Sequence, residues 1–229
     1  MKQARILAIF LGIFSTLGGQ AIQADTLFWK LKLPHYSPVD QNGVGVNLKS
    51  QNIQIDRLKV YVSNITLWQN DSLVLRDSNY AHLLDLNEPA SLKMRLSVNK
   101  NAVYNRIKFN LGIDSITNVA GVMGGDLDPS KGMYWTWQSG YINFKIEGSS
   151  DRCLSADHRF EFHIGGYQYP FLACKEVDLH VLQTQKMQIC MDLSAFFDQM
   201  DWTQDSRIMS PSIKAVGIAH NLSTCIYLE

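Results

Sequence analysis

The chain is predicted to be all-β, a single-domain antiparallel β-sandwich with few short helices, on three observations. Short runs of β-branched and aromatic residues alternate with polar ones at period 2 along most of its length. Turns rich in Asn, Asp, Gly and Pro separate them at short intervals. Only two brief stretches carry helix-start signals. That spacing is the pattern of stacked sheets joined by tight turns.

Residues 1–24, MKQARILAIFLGIFSTLGGQAIQA, begin with Lys2 and Arg5 and continue as an apolar run from Ile6 to Leu17. Charge, length and the small residues Gly19, Ala21 and Ala24 read as a secretory signal peptide cleaved after Ala21 or Ala24. The run is shorter than the roughly 20 residues a membrane-spanning helix needs, so no membrane span is expected. A mature domain over residues 25–229, roughly 205 residues, is long enough for one substantial core. Its expected location is periplasmic or secreted.

Along that domain Asp25–Leu33 alternates around Phe28 and Trp29, followed by Gly43–Asn47, Ile53–Tyr61 and Asn64–Gln69. Asn70-Asp71 reads as a hairpin turn into Ser72–Asp77. Tyr80–Asp85, Ala90–Leu96 and Tyr104–Gly112 continue the series. Met133–Lys145 reads as one strand that places Trp135, Trp137, Ser139 and Tyr141 on a single face. His158–Ile164, Val177–Leu182 and Met187–Asp192 complete the strands, with Gly165-Gly166 marking a turn or bulge. Ser194–Met200 and Pro211–His220 are the expected helices, the second with Pro near its first turn.

Lys and Arg together number 21, as do Asp and Glu. The balance leaves no field to draw the protein to nucleic acid or to an anionic membrane. The four cysteines, Cys153, Cys174, Cys190 and Cys225, all fall in the C-terminal third. In an exported chain they predict two disulfides. Of the three possible connectivities, Cys153–Cys174 with Cys190–Cys225 closes the more modest loops. No C-x-x-C spacing suggests a thiolate metal site.

No hydrolase, phosphate-loop or zincin signature is present, and no nucleophile–base pair can be named. The chain therefore reads as a binder, not an enzyme. Asp114, Asp126 and Asp128 flank the glycine-rich GVMGG, a density of hard oxygen ligands that suits calcium, although Asp is equally at home in turns. Of six histidines, His35, His82, His158, His163, His180 and His220, none forms an i, i+2 pair. His158 and His163 fall on opposite faces of a regular strand. His163 stands just before Gly165-Gly166, where a strand ends and an imidazole can be aimed into a pocket.

The segments RIKFNLGIDSITNVAG, GDLDPSKGMYWTWQSGYINFKIEG and FHIGGY, with the earlier KVYVSNITLW and YAHLLDL, together resemble the MbnP-like family of periplasmic copper-associated proteins. The match runs over most of the mature chain. The resemblance implies an exported β-rich copper-binding or copper-homeostasis protein. Its expected partner is a di-haem cytochrome c peroxidase-like protein of the MbnH or MauG type, which oxidises a tryptophan to kynurenine. It implies that Trp135 or Trp137 is modified and that His163 is a copper ligand, with Trp135, once oxidised, beside it. Kynurenine carries an aniline nitrogen and a ketone where indole has only an N–H donor, so oxidation turns a non-ligand into a ligand. One departure is that W-x-W stands where related surface proteins carry W-x-H. A further imidazole would then come from elsewhere, and His35 in LPHYSP is the candidate. The alternative reading is a secreted β-sandwich interaction or carbohydrate-binding module that presents an exposed aromatic face.

Overall fold

The computed structural model describes residues 22–32, 36–38, 46–48, 53–99, 102–155, 157–182 and 188–229. His35 and residues 1–21 of the expected signal peptide lie outside the described residues. In chain order the strands are β1 (Ile22–Lys32), β2 (Tyr36–Pro38), β3 (Val46–Leu48), β4 (Ile53–Gln69), β5 (Ser72–Arg76), β6 (Ala81–Asp85), β7 (Lys93–Asn99) and β8 (Arg106–Leu111). Helix α1 (Ser115–Ala120) precedes β9 (Tyr134–Trp135), β10 (Gly140–Ser150), β11 (Arg159–Gly165), β12 (Lys175–His180) and β13 (Gln188–Asp192). Helix α2 (Leu193–Asp198), β14 (Arg207–Ile208), α3 (Ile213–Thr224) and β15 (Ile226–Leu228) finish the chain.

The strands form two sheets, as an all-β sandwich requires. The smaller has the order β15-β13-β1-β7. The larger runs β12-β8-β4-β10-β11-β14, with β3, β5 and β6 also on β4 and β9 on β10. Pairing is antiparallel except for β1 with β13 and β11 with β14. Period-2 alternation turns Leu58, Val60, Phe109, Phe144, Ile146, Phe162 and Ile164 of the large sheet toward Trp29, Leu96, Val98, Ile189 and Met191 of the small one. Trp29 and Phe109 meet edge-to-face across the gap, ring centroids 5.4 Å apart. Helices α2 and α3 add Phe196, Phe197, Ala219 and Leu222 to the same core. Each buried Val, Leu, Ile, Phe or Met side chain among them contributes about 1.5–3 kcal/mol of transfer free energy.

β4 is one strand where two were expected. Asn64 adopts φ 52°, and the register with β8 shifts between Ser63 and Thr66. An Asn tolerates this left-handed step, so the chain bends without breaking. Conversely, the single strand expected over Met133–Lys145 is a hairpin. β9 ends at Trp135, Ser139 turns at φ 52°, and β10 returns with Gly140 opposite Trp135 and Tyr141 opposite Tyr134. Trp135, Trp137, Ser139 and Tyr141 therefore do not share a face. The Ser139-Gly140 dipeptide is itself a turn signal that the aromatic alternation masked.

The expected disulfides are not formed, and all four thiols are free. Cys153 Sγ bonds Arg159 O at 3.1 Å, at the start of β11. Cys174 follows Ala173, whose N–H donates to Gly166 O at 3.0 Å beyond the other end of that strand. The length of β11 holds the two apart by roughly 20 Å. Cys190 is opposite Tyr227, which leaves Cys225 diagonal to it. Diagonal neighbours sit about 7–8 Å apart, beyond ordinary bridging distance.

Candidate functional site

The outward face of the large sheet is apolar at one end and charged at the other. Tyr61, Leu83, Ile113, Leu127, Met133, Trp135, Tyr141 and Ile142 make a second apolar cluster there. The segment from Gly112 to Ser139 forms a cap over it. The capping segment is held by its own polar residues. Asp114 is the N-cap of α1 and accepts the Thr117 N–H at 2.8 Å. Asn118 donates to Ile113 O and accepts the Tyr141 N–H at 2.8 Å. Tyr61 donates its hydroxyl proton to Asp126 O at 2.8 Å.

Beyond the cap, cross-strand pairing lines up two charged rows. His163, Lys145, Lys59 and Asp85 form one, across β11, β10, β4 and β6. Glu161, Glu147 and Arg57 form the next. Lys145 Nζ donates to Gly132 O at 2.6 Å and Lys59 Nζ to Lys131 O at 3.1 Å. The two amines thereby hold the Asp128–Gly132 turn, and with it β9, against the sheet. Burial pulls the Lys145 amine below its ordinary pKa.

At this seam the structure brings together two of the expected residues. Trp135 is 7% exposed, and its ring lies on Gly165: a methyl group there would come within 2.7 Å of Trp135 Cζ3. Gly165 and His163 share one face of β11, roughly 7 Å apart along the strand. His163 is buried, with Nε2 2.7 Å from Glu147 Oε1. Glu147 Oε2 in turn accepts from Arg57 Nη1 at 2.8 Å. Burial presses the His163 pKa down, and Glu147 only partly offsets it. For Glu147, burial works to raise the pKa, but the His163 hydrogen bond and Arg57 outweigh it and leave the carboxyl below its ordinary value.

Trp137 lies elsewhere. It is 65% exposed, its ring centroid 5.7 Å from that of Trp135 at a tilt of 46°. The two indoles are one buried and one on the surface.

The three aspartates considered for calcium are occupied separately. Asp114 caps α1, Asp126 Oδ2 accepts the Leu83 N–H at 2.9 Å, and Asp128 Oδ1 accepts the Ser130 N–H at 2.8 Å. Among the described residues no three His, Cys, Asp or Glu side chains converge on a point where a metal would sit. The other histidines are dispersed as well. His82 Nε2 pairs with Asp77 at 2.5 Å, and His158 Nδ1 lies 3.0 Å from Cys153 O. The toolkit for copper at the seam is therefore one imidazole, His163, beside an intact indole whose nitrogen offers no lone pair. Glu147, Arg57 and Lys145 were not singled out from the sequence. The alternation of Lys145 and Glu147 in FKIEG was their only signal.

A protein-family model described as MbnP matches residues 11–210. Among solved structures, MbnP from Methylosinus trichosporium is similar over 86% of this chain and 87% of that one, at 14% identity and a TM-score of 0.54. That likeness is one of fold. Comparison with curated proteins gives no match.

Proposed function

Since the chain belongs to the MbnP family, we propose that it is an exported copper-binding protein and the substrate of a di-haem peroxidase-like partner that oxidises Trp135 to kynurenine. The observation that carries this reading is the placement of Trp135 on Gly165, one pleat repeat from His163 on the same face of β11. His163 would hold copper through its imidazole, and His35 is the candidate for a second nitrogen. Kynurenine at position 135 would supply the aniline nitrogen and ketone that the indole lacks. Neutral nitrogen donors of this kind suit copper. Exposed Trp137, stacked at a tilt on Trp135, offers the partner a surface route for removing electrons from the buried ring.

Two measurements test the reading. Mass spectrometry of protein made with the partner should place a modification in the 133–145 segment, on Trp135. Copper titration should show strong binding that falls by a large factor in H163A. An unmodified Trp135 and a titration unchanged in H163A would sink it.

The second reading, an interaction module, draws on the 65% exposure of Trp137, with Ile116, Val119 and Val122 of the same capping segment also exposed. A sugar-stacking platform built from both indoles is disfavoured because Trp135 is covered. Saturable glycan binding lost in W137A, with no copper uptake, would favour this alternative.

A further inference from the structure

We propose that the uncharged end of the large sheet is a dimer interface, the surface on which a second copy of this chain docks. Strand pairing places that end. Leu111 of β8 is opposite both Val62 of β4 and Lys175 of β12, and Ile142 of β10 is opposite Gly165 of β11. The connections between these strand ends therefore leave from one edge of the sheet, residues 112–139 as the cap and 166–174 as the loop into β12. Side chains tie the two together. Ser115 Oγ donates to Tyr167 O at 2.7 Å, and a methyl group at Gly140 would lie 2.9 Å from Tyr167 Cε1 and 3.5 Å from Asn118 Oδ1. One at Gly166 would lie 3.1 Å from Pro211 Cβ, which brings the start of α3 to the same place.

Residues 115–125, 132–144, 164–174 and 208–213, which meet there, contain no Asp, Glu, Lys or Arg. Among the described residues twelve large apolar side chains are exposed, and eight of them belong to these four segments. Ile116, Val119, Trp137, Tyr169 and Ile213 are each 65–89% exposed and together present on the order of 800 Å², the share that one partner gives to a standard interface. The largest apolar patch on a typical monomer is smaller, about 300–600 Å². Charges at the border are already engaged: Asp114 accepts the Thr117 N–H, Lys175 Nζ donates to Leu172 O, and Lys214 pairs with Asp205. Soluble oligomers most often set identical patches together about a two-fold axis. A face without charge meets its own copy with no like-charge repulsion, and homodimer interfaces are the more apolar class. A lipid surface fits less well, because interfacial anchors carry Lys or Arg beside their apolar residues. Since Trp137 lies in this face, the dimer and a partner that draws electrons through Trp137 would exclude one another.

Sedimentation equilibrium of the purified, copper-free protein tests this without reference to the metal. The weight-average mass should rise with concentration toward twice that of one chain, and raising the salt should not dissociate the dimer, because no ion pair holds it. I116D and Y169D each place a carboxylate on the face, at side chains that pack against little else. Each should sediment as a single chain at concentrations where the wild type is dimeric, with far-UV circular dichroism unchanged. A wild type that keeps the single-chain mass up to about 1 mM overturns the proposal. So does a dimer that survives in both variants, or one that salt dissociates. Flotation with phosphatidylcholine vesicles by a protein that stays monomeric, lost in Y169D, would assign the face to lipid and equally overturn it. Should I116D fail to fold, Y169D, on a separate loop, still decides.

Discussion

Replacing Gly165 with Ala tests the packing that places Trp135 beside His163. A methyl group at this position would lie 2.7 Å from Trp135 Cζ3, 3.1 Å from Cη2 and 2.7 Å from Tyr141 O. Carbon and oxygen neighbours ordinarily sit at about 3.5–4 Å, so something must move by the better part of an ångström. The carbonyl cannot move cheaply, because Ile142 of β10 pairs directly with Gly165. The ring must tilt instead, and at 7% exposure, packed against Trp137 and its apolar cluster, it has little free space. Overpacking of this kind costs typically 1–3 kcal/mol. We expect about 2 kcal/mol of lost stability, roughly a thirtyfold change in the folded-to-unfolded ratio. Urea unfolding followed by circular dichroism measures it, and a red shift of tryptophan emission reports the displaced ring. The control is G217A. Gly217 lies in the interior of α3, with nothing within 4 Å of an added Cβ. Removing its backbone freedom there should stabilise the protein by about 0.5–1 kcal/mol. G165A as stable as wild type, or both variants moving in the same direction, would refute the assigned contact.

Further outcomes are expected elsewhere in the molecule. Unfolded without reductant, the protein should react with maleimide at all four cysteines. In the folded state Cys174, whose thiol burial pushes up to about 12, and Cys190, pushed up to about 11, should react slowly. Fewer than four reactive thiols after unfolding would reveal a bridge. Asp178 is held below its ordinary value of 3.8 chiefly by hydrogen bonding from Arg106. The stabilisation is therefore present above that value and lost as pH falls through the folded pKa. D178N should cost under about 1 kcal/mol near pH 7, and its melting curve should merge with that of wild type in strong acid. A gap that widens on acidification would contradict the sign. Finally, β1 opens at Ile22 and pairs Ile22, Gln23 and Ala24 with Asn99, Val98 and Ser97. Under the proposed export, cleavage after Ala21 preserves those pairs, so N-terminal sequencing of secreted protein should begin at Ile22. A start at Asp25 would show that the first three rungs are dispensable.

Most strands were legible because one face of each is buried and period 2 is then written directly into the residues. Arg106–Leu111 alternates without a break, and β8 occupies those positions. Elements that depend on side-chain bonding were not visible in this way. α1 has six residues, with Ile116 82% exposed and Val119 76% exposed, so it carries no amphipathic stripe. What holds it is the Asp114 cap and the Asn118 amide. The aspartates that suggested calcium are anchors of the cap. Their density records how many backbone N–H groups the turns leave to be satisfied.

By itself the sequence determined the all-β class, the alternation that builds the two apolar faces, and the Trp-rich block and HIGG element that mark the candidate site. These are local properties, carried by periodicity and by motifs read along the chain. Which indole is buried and which is exposed was decided only in three dimensions, by the turn at Ser139 that breaks the aromatic run. The polar chain at His163 was likewise decided by register. Glu147, 16 positions away, is brought to His163 by β10, and Arg57 of β4 is brought to Glu147. No pattern along one strand specifies which strand lies next to it.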